Sequence, residues 1–306
     1  MSGADDAQIV RRIRDDRDHG ASWLAREAAR QMACVAAGEG DAKARLSRVR
    51  ALGRALAQAR PSMATIANTV ARVWMVGAAQ VDDAQTQLAA LCAEALEIDA
   101  RWTSATEGMA QWAREAVSGP VYTHSRSGSV EQTLTTLARE RIGHEPLRVI
   151  VAESRPGGEG VGLAGALAAA GAQVTLVADS ACAVFIEQAA LVVVGADSVR
   201  SDGAVVNKVG TRTSALVAQA AGKPVYALAE RLKVTPDSYP LVIEEMNPAE
   251  LLPQPVSGVL ARNVYFDVTP ARLITSIIME SGPTDTRDIA RLAEEAERAY
   301  RALMAP

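Results

Sequence analysis

The chain has 306 residues, 49% hydrophobic and 22% charged, with 32 Lys and Arg against 36 Asp and Glu. At roughly 150 residues per domain this length fits two domains, and no apolar run approaches the roughly 18 residues needed to cross a bilayer. A net charge of −4, no Lys/Arg block and 4% aromatic residues argue against a direct nucleic-acid ligand, which needs a basic footprint or stacking platforms.

The opening segment MSGADDAQIVRRIRDD has mixed charge and no apolar stretch, unlike a secretory signal or a transit peptide. Cys34, Cys92 and Cys182 form neither a disulfide framework nor a metal-type spacing, so a reducing, cytoplasmic setting is expected. Residues 4–118 are rich in Ala, Arg, Glu and Leu, and apolar residues such as Leu88, Leu91, Cys92 and Ala95 recur at helical spacing. Pro61 reads as the start of a helix carrying Met63, Ile66, Val70 and Trp74. Trp23, Trp74, Trp102 and Trp112 sit at packing-like positions and are expected in a core or an interface.

Near Gly119-Pro120 the texture changes to short β-rich runs separated by helical patterns: VYT at 121–123, LRVIVA at 147–152, QVTLVA at 173–178, LVVV at 191–194 and PVYALA at 224–229. That alternation signals βαβ units and a parallel sheet. SVRSDGAVVNK at 198–208 instead alternates around Asp202-Gly203, a hairpin dipeptide. The last segment, TDTRDIARLAEEAERAY, reads as an amphipathic helix capped by Thr284 or Asp285. The fold expected is α/β: a helical domain over 1–118, then a doubly wound, mostly parallel domain over 119–306 with a small hairpin.

In such a sheet, ligands bind beyond the carboxyl ends of the strands. The residues there are polar and of both signs: Ser125 and Arg126; Glu153, Arg155 and Glu159; Asp179; Asp197; Glu230 and Lys233. GVGLAG at 160–165 matches G-x-G-x-x-G, but AESRPGG separates it from its strand. It falls inside the helix, where it cannot present amides to a pyrophosphate, so nicotinamide or flavin binding is not expected.

ESRPGGEG (153–160), VTLVADSA (174–181), VVVGADSVRSDGAVVNKVGT (192–211), VYALAERLK (225–233) and NVYFDVTPARLI (263–274), in this order and spacing, resemble one family. It contains the α, β and δ regulatory subunits of translation initiation factor 2B, ribose-1,5-bisphosphate isomerase and methylthioribose-1-phosphate isomerase. HGAS at 19–22 and ARPSM at 59–63 are similar to its sugar-phosphate loops. The resemblance implies a Rossmann-like second domain, no metal or redox cofactor, and conversion of an aldose 1-phosphate to a ketose 1-phosphate. Phosphate on the anomeric oxygen blocks ring opening, so a proton donor, an acceptor and a phosphate clamp are needed.

By the same resemblance Asp197 is the acid/base. Gly20 and Ala21 give backbone amides, Arg60 meets a phosphate, Asn207 and Lys208 flank the sugar, and Lys233 reaches a second anionic group, with Arg126 and Arg155 as further cations on the rim. Three positions depart from the isomerase pattern. Ser125 stands where a cysteine acts as donor, and a hydroxyl is a poor proton donor without an activating base. Glu159 replaces the commoner glutamine, as in the initiation-factor subunits. His19 replaces an arginine and is a weaker, titratable phosphate partner.

Each residue also has a plainer reading. Asp197 is then a turn cap, Ser125 a satisfied loop hydroxyl, Arg60 a solvated helix-start residue, His19 an exposed helix end, Glu153 and Arg155 a structural salt bridge, and Cys182 a small core thiol, the other reading of that thiol being a replacement for the missing cysteine. The partners expected are a phosphorylated sugar or nucleotide-derived small molecule and a second copy of the chain, with Phe266 at the dimer interface, and no membrane. The alternative to an isomerase is a silent regulatory subunit with a phosphorylated ligand.

Overall fold

Alanine-rich sequence builds closely packed helices, and five of them open the chain: α1 (Gly3–Asp15), α2 (Ala21–Ala36), α3 (Ala42–Ala57), α4 (Ala64–Ala78) and α5 (Ala84–Ala116). The computed structural model describes residues 3–16, 19–78, 83–243 and 245–305. Asp41 accepts the Ala44 amide at 2.8 Å and Asp83 the Thr86 amide at 2.9 Å, each satisfying a first-turn donor. α4 is buried along most of its length, and its small residues let its neighbours close in. A Cβ on Gly77 would stand 2.3 Å from Leu91. Pro61 does not begin this helix. The Met63 amide donates to the Arg60 carbonyl at 2.9 Å, closing a turn, and α4 starts at Ala64.

The second part runs β1 (Val121–His124), α6 (Gly128–Glu140), β2 (Arg148–Ala152), α7 (Glu159–Ala169), β3 (Gln173–Val177), α8 (Cys182–Ile186), β4 (Leu191–Gly195), β5 (Ser198–Val199), β6 (Val205–Lys208), α9 (Thr211–Ala220), β7 (Val225–Leu228), β8 (Glu245–Met246), β9 (Asn263–Val264), β10 (Phe266–Thr269), β11 (Ser276–Met279), β12 (Gly282–Thr284) and α10 (Thr286–Met304). The main sheet has order β12-β11-β7-β4-β1-β2-β3, parallel except for the β11–β12 hairpin. One face packs on α5, α6 and α7 through Met109, Leu134 and Leu163. The other packs on α8, α9 and α10 through Ile186, Ala215 and Ile289. The five expected strands and the α/β class are present. β11 and the edge strand β12 carry too short a pattern to be read from sequence.

The Asp202-Gly203 turn joins β5 to β6, with Gly203 at φ 81°, the left-handed region that glycine tolerates. β10 extends this hairpin to three strands, setting Asp267 opposite Asn207 and Phe266 opposite Lys208. α10 is capped by Asp285, whose side chain accepts the Asp288 amide. It buries Ile289 and Leu292 against the sheet but Ala299 and Leu303 among the amino-terminal helices, so it bridges the two parts. Arg54 Nε donates to the Leu303 carbonyl at 2.8 Å and Arg50 to the Ala305 carbonyl at 2.8 Å, a cationic finish to the helix. The expected boundary at 118/119 falls in the link between α5 and β1. Among the described residues no helix is long and apolar enough to cross a membrane.

Candidate functional site

Strand order reverses between β1 and β4, since the chain leaves β1 toward β2 and β3 on one side and returns through β4, β7 and β11 on the other. A crevice forms beyond the carboxyl ends at such a switch point. The amino-terminal helices roof it, and a cavity of about 530 Å³ results. Ser125 after β1, Glu159 at the start of α7, Asp197 after β4 and Lys233 after β7 line it from the sheet side. Asn207 and Lys208 come from β6, and His19, Gly20, Ala21 and Arg60 come from the helical side. Arg126 lines it too. Eleven of the twelve residues expected to bind or act on the ligand therefore meet in one void, whereas Glu153, Asp179 and Glu230 of the strand-end rim do not line it.

The twelfth, Arg155, does not. Its amide is held by Asp179 Oδ2 at 2.6 Å and its guanidinium reaches toward the Glu250 carbonyl, rather than toward Glu153 or the cavity. Asp179 also takes the Ser154 amide at 2.8 Å, and Ser154 Oγ takes the Ser125 amide at 2.7 Å. This relay holds Ser125 and Ser154 at φ 68° and 65°, a conformation that costs a non-glycine residue about 1–3 kcal/mol and persists where surrounding structure enforces it. Behind Ser125, buried His124 bonds the Val209 carbonyl at 2.8 Å, and burial pushes its imidazolium pKa down.

Asp197 is fixed by its backbone, whose amide donates to the Val206 carbonyl at 2.9 Å and whose carbonyl accepts from Thr65 Oγ1 at 3.1 Å. Burial pushes its carboxyl pKa up, Lys233, Lys208 and Arg60 pull it down, and Glu159 adds to the upward push. The balance is upward, which favours a carboxyl group that can hold a proton nearer neutrality.

The cations around it are largely spoken for. Lys208 Nζ lies 2.5 Å from Glu159 Oε1 and 3.8 Å from the centre of the Tyr265 ring. Lys233 Nζ lies 2.8 Å from Glu230 Oε2. Arg126 forks onto Glu131 at 2.6 and 3.2 Å, and Arg60 donates to the Asp16 carbonyl at 2.9 Å. α2 and α6 both open on the cavity with no side chain capping their first amides. Two helix starts without a side-chain cap and four cationic side chains thus line one cavity, the elements that favour negative charge.

Sequence reasoning missed several wall residues. Asp16 Oδ2 lies 2.9 Å from His19 Nδ1, and its other oxygen takes the His19 amide at 2.9 Å. The Asp-x-x-His spacing was the available signal. Of the two places expected for Trp23, a core or an interface, the core is excluded: it is 38% exposed, lines the cavity and stacks on His19 at 3.7 Å. Trp74, Trp102 and Trp112 are buried. Phe266 is only 4% exposed and forms cavity wall, so it has little surface to give a dimer. Cys182 is buried against the sheet, outside the cavity lining. In GVGLAG, a Cβ on Gly160 would strike the Ala152 carbonyl oxygen at 1.8 Å, and one on Gly162 would meet Arg126. These glycines serve packing.

The Initiation factor 2 subunit family matches residues 17–286. The chain belongs to this family. It is 32% identical over 279 residues to a translation initiation factor eIF-2B subunit 2-like protein of Pyrococcus abyssi, covering 90% of this chain and 94% of that one. It is 38% identical over 167 residues to a ribose 1,5-bisphosphate isomerase of Archaeoglobus fulgidus, covering 53% of this chain and 52% of that one. The crystal structure of the Pyrococcus horikoshii translation initiation factor eIF-2B superposes with a TM-score of 0.79 at 30% identity, over 94% of this chain and 100% of that one. The initiation factor 2 subunit family thus holds both isomerases and initiation-factor-like proteins, and its fold is the one seen here.

Proposed function

We propose that this member of the family binds a phosphorylated pentose in the cavity and isomerises an aldose 1-phosphate, with ribose 1,5-bisphosphate as the leading candidate, to the ketose 1-phosphate. The observation that carries this reading is the raised, backbone-fixed carboxyl of Asp197 set among Arg60, Lys208 and Lys233. Protonated Asp197 gives its proton to the ring oxygen as the C1–O bond breaks. Hydrogen then moves with its electron pair from C2 to C1, the C2 hydroxyl proton returns to Asp197, and a C2 ketone remains. Ser125 orients the ring, and the cations with the starts of α2 and α6 hold phosphate.

One observation favours the second reading, a non-catalytic subunit that senses a phosphorylated small molecule. Glu159 already occupies Lys208 at 2.5 Å, and Ser125 lacks the acidity of a thiol. The two separate on incubation with ribose 1,5-bisphosphate followed by 13C NMR of the sugar. Ketose formation that Asp197→Asn lowers at least about a hundredfold supports the isomerase; binding without turnover supports the sensor; turnover indifferent to Asp197→Asn refutes the mechanism. The reading includes a homodimer, for which the exposed Val256, Val259 and Leu260 offer an apolar face. A single 32.2 kDa species at sedimentation equilibrium would remove it.

A further inference from the structure

Lys233 is an unusual anion ligand because its charge is already answered. Its ammonium and the Glu230 carboxylate are almost wholly buried, at 3% and 6% exposure, and 2.8 Å apart. The other Glu230 oxygen accepts from Ser129 Oγ at 2.6 Å and Trp102 Nε1 at 3.0 Å. Trp102 belongs to α5 and Ser129 to α6, so both helices fix a carboxylate that follows β7. Lys233 faces the cavity; Glu230 lies behind it, beside a small void shared with Arg72, Arg101, Arg231 and Glu280. Arg72 and Arg101 are engaged by Glu94, and Arg231 by Glu295. The Glu280 carboxylate takes the Arg231 amide.

We propose that Glu230 is a positioning residue, which holds the Lys233 ammonium in a buried, neutral pair at the cavity wall and so shields Asp197, which lines the same cavity, from the field of an unpaired cation. The inference rests on the acid/base role given to Asp197 above. An uncompensated ammonium beside a carboxyl stabilises the carboxylate and empties its proton. The groups facing Asp197 are Lys233, Lys208, Arg60 and Glu159, and the two lysines are each neutralised by a glutamate. Burial would raise the Glu230 carboxyl, but Lys233 and Ser129 more than offset it and hold it ionised, while Asp197 goes the other way.

The test follows Asp197 itself, by 13C NMR titration of carboxyl-labelled aspartate in the full chain without substrate, with Asp197→Asn for assignment. Glu230→Gln should lower the Asp197 midpoint by about one pH unit, a tenfold change in acid dissociation. Ser129→Ala combined with Trp102→Phe, which loosens the carboxylate but keeps its charge, should move it by less than about a third of that. Glu230→Asp, which draws the charge back from Nζ, shifts the midpoint in the same direction and serves where the glutamine variant does not fold. A midpoint that stays put or rises in Glu230→Gln, or in Glu230→Asp where the glutamine variant does not fold, overturns the proposal, even if melting temperature falls, because a purely structural role predicts only that fall. Since no turnover is read, failure here is distinct from failure of the isomerase reading, which the sugar assay decides.

Discussion

Glu159→Gln is expected to tighten anion binding. The Glu159 carboxylate lies 2.5 Å from Lys208 Nζ, so a phosphate oxygen that contacts the same ammonium would lie roughly 5 Å from it. At an effective dielectric of about 20, like charges at that separation repel by about 3 kcal/mol. The Glu159 side chain is 31% exposed, and solvent screening reduces the figure to about 1.5 kcal/mol, or roughly tenfold in affinity. Glutamine keeps the shape and a hydrogen-bond acceptor for Nζ, so the gain is electrostatic. Calorimetric titration with inorganic phosphate, then with ribose 1,5-bisphosphate, should show tighter binding in about 0.05 M salt and a smaller difference in 0.5 M, where the Debye length is only a few Å. Weaker or unchanged affinity at low salt would refute the view that Glu159 competes with the ligand for Lys208.

Ser125→Cys puts a more acidic group at the strained position in the cavity that Asp197 also lines; if the site is catalytic, ketose formation should rise at least about tenfold, whereas no turnover in either form favours the sensor. Asp267 caps the turn into α9 through the Gly210 and Arg212 amides, and burial lifts its carboxyl from 3.8 to about 6. The folded state therefore binds more protons than the unfolded chain between those values, and this group's contribution makes stability fall as pH rises through the window. In thermal melts from pH 4 to 7, the difference between the natural protein and Asp267→Asn should grow in favour of the variant as pH rises and level off above 6; a difference that is flat or of opposite slope refutes this. Gly160→Ala drives a methyl into the Ala152 carbonyl oxygen and should destabilise by about 3 kcal/mol or more, while Gly165→Ala, which meets nothing within 4 Å, should not; equal melting temperatures for the two would contradict the packing role of the motif.

The five central parallel strands, the Asp202-Gly203 hairpin and the carboxyl-terminal helix were legible because each is a local pattern: an apolar run, a turn dipeptide, an amphipathic period with its cap. The rim residues were legible as a set because a doubly wound sheet brings its strand ends together, and the place of the glycine motif inside α7 was legible because its distance from the strand is also local. The motifs that marked the family are linear too, so Asp197, Asn207 and Lys208 could be named from sequence. Other features have no linear signature. Whether Pro61 opens a helix depended on a hydrogen bond between Met63 and Arg60, and Trp23 joined the cavity wall because α2 begins there and sets that ring on His19. Arg155 was removed from the site by Asp179, which lies on the neighbouring strand's end and takes its amide. Above all, sequence supplies an inventory of charges but not their pairing. The contacts of Lys208 with Glu159 and Trp102 with Glu230, and the net upward push on Asp197, arise from side chains far apart in the chain, at distances of a few Å where Coulomb energy and desolvation change steeply. Those distances belong to the folded packing alone.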